Sequence, residues 1–178
     1  MTEPARPDSV RLALPGEATA ITAVQRSWLA SLPALAGVLD DLAADAMVSA
    51  WQAAITRPPL ASYRVLVALN RAGDVVGFAA VGPSDDPDAD FSDALVAEFC
   101  IKPGEIGLGH EDRLMHAVAD TLRADGFTRA TWWVATDDDI TRAMLAESGW
   151  EPDGAHQEVG SEDGQLRVKR VRLHTALV

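Results

Sequence analysis

The 178 residues carry 15 lysines and arginines against 27 aspartates and glutamates, a formal net charge of -12, with 48% hydrophobic residues. That apolar content supports one ordinary core, while the negative field disfavours nucleic acid and anionic membranes as partners. A lone cysteine, Cys100, excludes an intrachain disulfide framework. No apolar run approaches the ~20 residues of a membrane span, and residues 1–8 lack a signal-type apolar segment, so a soluble cytoplasmic protein is expected.

Proline and glycine are spread without an obvious linker, so residues 9–178 are expected as a single domain behind a flexible segment, 1–8. "SVRLAL", 9–14, alternates as a strand closed by Pro15-Gly16. From Thr19 to Arg57 the apolar spacing turns helical, with Ile21, Val24, Trp28 and Leu32 on one face and Met47, Trp51 and Ile55 on a later one. Pro33 and Asp40-Asp41 divide that region into two or three helices. Residues 63–82 form a hairpin about the turn Asn70–Asp74, followed by "PSDDPDADFSD" as an exposed loop. Its "DDPDAD" lacks the glycine and terminal glutamate of a calcium loop and reads as a solvated acidic loop.

A strand at about 94–101 leads through a glycine-rich turn into a helix at about 110–125, then a strand, "RATWWVAT". One of Trp132 and Trp133 is expected in the core and the other against a helix or ligand. A helix over 138–148 ends at Gly149, and two strands flank "GSEDG". The expected fold is therefore α/β, a mixed sheet of about seven strands with a central parallel βαβ unit, antiparallel hairpins at both ends and about four helices. The final stretch "RVKRVRLHTALV" is rich in basic residues and balances the acidic body, or lines a contact between two copies in a homodimer. The four histidines show no metal-ligand spacing.

This order of elements, with "DVVGFAAV", "FCIKPGEIGLGHEDRLMHAVADTLRADGF" and "TRAMLAESGWEPDGA", resembles the GNAT superfamily of acyl-CoA-dependent N-acetyltransferases over roughly residues 9–176. The resemblance implies acetyl-CoA as co-substrate and a small-molecule or protein amine as acceptor. It also implies a phosphate seat in which successive N–H groups and the helix dipole meet the CoA pyrophosphate. Counted from Pro103, that motif falls on Ile106, Gly109 and Glu111; a second register, starting at Gly104, pairs Gly107 with Gly109 but lengthens the gap to "RLM", so the first is the expected one. Within the span Ile106, Gly107, Leu108, Gly109, His110, Glu111 and Asp112, the family's Gln or Arg is missing and a carboxylate replaces its second small residue.

The acids there also suit a helix N-terminus as such, and the seat is open to being filled by its own side chains. Lys102, His110 and Arg113 are placed to offset Glu111. The resemblance further implies that backbone groups of Phe99, Cys100 and Ile101 pair with the pantetheine arm, that Asp138 stands at the family's cofactor-contacting asparagine, and that Leu145 replaces its tyrosine acid. Glu98, ionisable within an apolar strand, is the candidate general base, with a structural pairing to an arginine as the alternative; Cys100 reads as core packing. Degenerate motif positions leave a second function open, a catalytically weak or inactive protein of this fold that binds a ligand or partner.

Overall fold

In the computed structural model, which describes residues 8–33, 35 and 37–178, the elements are β1 (Ser9–Leu12), α1 (Ala18–Ala30), α2 (Val38–Asp41), α3 (Ala44–Thr56), β2 (Arg64–Leu69), β3 (Val75–Pro83), β4 (Asp93–Ile101), α4 (His110–Ala124), β5 (Arg129–Ala135), α5 (Asp139–Glu147), β6 (Glu151–Gly160) and β7 (Arg167–Ala176). Most of the segment expected to be flexible, 1–7, lies outside the described residues. Asp8, at its end, pairs with Arg113 at 2.9 Å. The strands form one seven-stranded sheet in the order β1-β2-β3-β4-β5-β7-β6. β4 and β5 are parallel over four registered pairs, from Asp93↔Arg129 to Val96↔Trp132. The β1–β2, β2–β3, β5–β7 and β6–β7 ladders are antiparallel.

The described residues form two compact units, each assembled from separated segments: one holds those up to Val81 with Glu98–Thr121, the other Gly82–Ala97 with Leu122–Val178. In the first, the apolar stripe of α1 meets the sheet. Ile21, Val24, Val65, Val67, Phe78 and Cys100 make the buried cluster, with Trp28, Trp51 and Ile55 packed against it. Trp51 meets Phe78 edge to face at 4.9 Å and donates its indole N–H to Gln25 at 2.8 Å, so the large ring enters the core without an orphaned donor. The β2–β3 turn is pinned by Asn70, whose side-chain oxygen accepts from the N–H groups of Ala72 and Asp74. In β3, a Cβ on Gly77 would lie 2.5 Å from Ile101 Cδ1 and 3.1 Å from the Cys100 carbonyl oxygen, so only glycine lets β4 come this close.

In the second unit, Ala130, Trp132 and Val134 alternate inward along β5 and are joined by Leu122, Leu145, Trp150 and Leu173 in the buried set. Trp132 stacks edge to face on Trp150 at 5.8 Å, which settles the core member of the tryptophan pair. β7 runs between β5 and β6. Both its backbone edges are used, so only its side chains remain for any contact between copies.

The loop before β4 is not simply solvated. Arg172 of β7, 5% exposed, receives Asp86 and Asp88 from it and Asp153 from β6. A guanidinium this far from water requires carboxylate partners, and the acidic loop supplies two of them. Trp133, expected against a helix or ligand, donates its indole N–H to Asp86 at 3.0 Å, with the Arg172 guanidinium 5.5 Å from its ring.

Candidate active site

α4 starts from a turn in which Gly107 and Gly109 have φ of +81° and +85°, a region that L side chains rarely adopt. The Gly109 carbonyl accepts from Arg113 N–H at 3.3 Å, the first bond of the helix. The register that pairs Gly107 with Gly109 is thus the one in which both glycines are needed by the backbone. Apolar Ile106 and Leu108 are 52% and 61% exposed on this turn.

Glu111, in the first turn of α4, folds its side chain back so that Oε1 accepts from the Gly107 N–H at 2.7 Å. A short bond between a carboxylate and a backbone N–H is charge-assisted. The turn can therefore hold an anion, and the oxygen it holds is its own. Two of the three residues expected to offset Glu111 have other partners: Arg113 bonds Asp8 and the Leu108 carbonyl, and His110, 3% exposed, sets Nε2 3.4 Å from Glu105. His110 Nδ1 is buried with no partner. Asp112 is exposed.

On β4, Phe99 and Glu98 are half-buried, whereas Cys100 and Ile101 are buried. Burial pushes the Cys100 thiol up, and the negative charge of Glu98 adds to it. The thiol therefore stays protonated at neutral pH and carries no nucleophilic thiolate. Alternation along the strand groups Glu98 with Cys100.

Asp138 belongs to the second unit and caps α5, its side chain accepting from Thr141 N–H at 3.0 Å. That bond satisfies one of the helix's free donors and explains an acid here without a ligand. Leu145 is fully buried and its carbonyl accepts from Trp150 N–H. The side chain at this position belongs to the core.

Sequence reasoning missed the ionic network around Arg172, in which Arg129 adds bonds to Asp93 and Asp153. The available signal was an arginine between Val171 and Leu173, in a run otherwise suited to a buried strand. Among the described residues, no group of three or more His, Cys, Asp or Glu is placed to hold a metal ion, and no helix is long and apolar enough to cross a membrane.

The family model of the acetyltransferase (GNAT) family matches residues 33–150. No curated protein matches the sequence. Among solved structures, an N-acetyltransferase from Staphylococcus aureus Mu50 superposes with a TM-score of 0.77 at 13% identity, over 97% of this chain and 100% of its own. yncA from Salmonella typhimurium, with its cofactor acetyl-CoA, gives 0.73 at 18% identity over 97% and 95%. A ribosomal-protein-alanine N-acetyltransferase from Brucella melitensis gives 0.73 at 17% identity over 94% and 98%. At these identities the likeness is one of fold.

Proposed function

The chain belongs to the GNAT family of acetyltransferases, and from that premise we propose that it transfers an acetyl group from acetyl-CoA directly to an amine of a small molecule or a protein. The observation that carries this reading is the turn before α4, where a left-handed glycine presents an N–H to an anionic oxygen at 2.7 Å. A turn that binds a carboxylate oxygen has the donor geometry for a phosphate oxygen. A Cβ built on Gly107 meets nothing within 4 Å. With Glu111 swung out, the Gly107 N–H is the group proposed to meet a pyrophosphate oxygen.

Acetyl-CoA, when bound, supplies the acyl group as a thioester. The acceptor nitrogen attacks the thioester carbon, so a C–N bond forms as the C–S bond breaks; the nitrogen gives up a proton and the thiolate takes one. Glu98 is the residue proposed to receive the proton from nitrogen. With Leu145 at the position of the family's tyrosine, water is the proposed donor to sulfur. Direct transfer agrees with a buried, protonated Cys100, which cannot act as an acyl carrier. Backbone groups of Phe99, Cys100 and Ile101 are proposed to hold the pantetheine arm, a role that does not depend on side-chain identity.

The bond from Gly107 to Glu111 also favours a second reading, a GNAT protein with little catalysis that binds another ligand or a partner. Calorimetric titration with acetyl-CoA separates the two. Saturable binding with acetyl transfer to an amine supports the enzyme; no saturation at millimolar acetyl-CoA removes it.

A further inference from the structure

On the sheet of the second unit, register pairs Trp133 with Arg172 and Ala135 with Arg170, and Gln157 of β6 pairs with Arg170 on its other side. Directly paired residues, and residues two apart on a strand, share a face, so Trp133, Arg170 and Arg172 stand in one neighbourhood. The two arginines have different fates. Arg172 directs Nε to Asp153, Nη1 to Asp86 and Asp88, and Nη2 to Asp88. Four of its five N–H donors are thereby taken.

Arg170 has its guanidinium carbon 6.0 Å from the centre of the Trp133 ring, and its Nε is buried without a hydrogen-bond partner. Six other arginines, Arg11, Arg113, Arg129, Arg142, Arg167 and Arg172, each pair with a carboxylate. Arg170 pairs with none among the described residues, in a chain where acids outnumber basic residues 27 to 15. A half-buried cation against an aromatic face, with an unmade buried bond, is arranged for an anion that arrives from outside.

We infer that Arg170 and Trp133 form a binding subsite for a small organic carboxylate. The planar guanidinium fork matches a carboxylate in two parallel bonds. Asp86, bonded to the Trp133 indole at 3.0 Å, puts a fixed negative charge beside the site. It therefore penalises a dianionic phosphate more than a monoanionic carboxylate.

The test uses the whole protein without acetyl-CoA, so its outcome is independent of cofactor binding. The Trp133 indole N–H resonance, assigned with Trp133→Phe, is followed by heteronuclear NMR during titration with benzoate, with its neutral isostere benzamide, and with inorganic phosphate. Benzoate should move the resonance saturably, at least tenfold more tightly than benzamide and more tightly than phosphate. Arg170→Gln should lose at least tenfold in benzoate affinity, and Arg170→Lys should retain part of it. No saturable movement, equal response to benzamide, tighter binding of phosphate, or unchanged affinity in Arg170→Gln each overturns the assignment. If Arg170→Gln fails to fold, the three-ligand comparison on the unaltered protein still decides.

Discussion

Replacing Glu111 by glutamine or alanine should strengthen binding of acetyl-CoA. In the unliganded protein its Oε1 occupies the Gly107 N–H at 2.7 Å, so a phosphate oxygen must displace it and then lie beside its charge. Two unit charges about 4 Å apart repel by about 1 kcal/mol in water and about 4 kcal/mol at a shielded protein surface. Glu111 is half-buried, which places the relief in the lower part of that span, about 1–2 kcal/mol. Since about 1.4 kcal/mol is tenfold, the variants should bind about 5- to 30-fold more tightly. The gain should shrink as salt rises, because screening already weakens the repulsion in the parent. The same carboxylate complements the positive end of α4, so Glu111→Ala should also cost about 0.3–1 kcal/mol of stability. Calorimetry at two ionic strengths, with a urea melt of each variant, measures both effects. Unchanged or weaker acetyl-CoA binding in both variants would refute the self-filled seat.

Arg172→Met should cost about 3–5 kcal/mol in urea denaturation, because two half-buried carboxylates, Asp86 and Asp153, lose their cation, whereas Arg167→Met at an exposed pair should cost under about 1 kcal/mol; similar costs would remove the network's special status. The hydrogen bond from Arg172 holds Asp88 at about 2. Burial pushes the Asp153 carboxyl up, but the Ala155 N–H and Arg172 outweigh it and leave it lowered. Carboxyls depressed in the folded state contribute stability above their unfolded value of about 3.9, and lose it as pH falls through the folded value. Melting temperature should therefore fall between pH of about 4 and about 2, less steeply in Arg172→Met, and parallel slopes would contradict this. Gly77→Val should destabilise by about 1–3 kcal/mol, since its Cβ would strike Ile101 and the Cys100 carbonyl; a neutral result would mean that β3 and β4 separate freely. Once acetyl transfer is observed, Glu98→Gln should lower kcat/KM about a hundredfold or more and flatten the acid limb of its pH profile; an unaltered profile eliminates Glu98 as the base.

Element order was legible in the sequence because it depends on neighbours along the chain. Helical spacing of Ile21, Val24 and Trp28, the Asn70–Asp74 turn, and Gly126 and Gly149 after the last two helices each act within a few residues. The glycine turn before α4 was equally visible. Its occupant was only partly so: Glu111 marks where a negative charge lies, but whether the side chain points outward or back to Gly107 depends on the turn's left-handed φ values.

What the tertiary structure alone decided is which charges meet. Asp86 and Arg172 are 86 positions apart, and they touch because a loop before β4 and a strand near the C-terminus belong to the same compact unit. An ion pair has no period along the chain, so composition shows an acidic loop and a basic last strand without joining them. Trp133 and Arg170 follow the same logic. Alternation separates Trp133 from Trp132, but only the register of β5 against β7 sets Trp133 beside one arginine that is paired with carboxylates and another that is not.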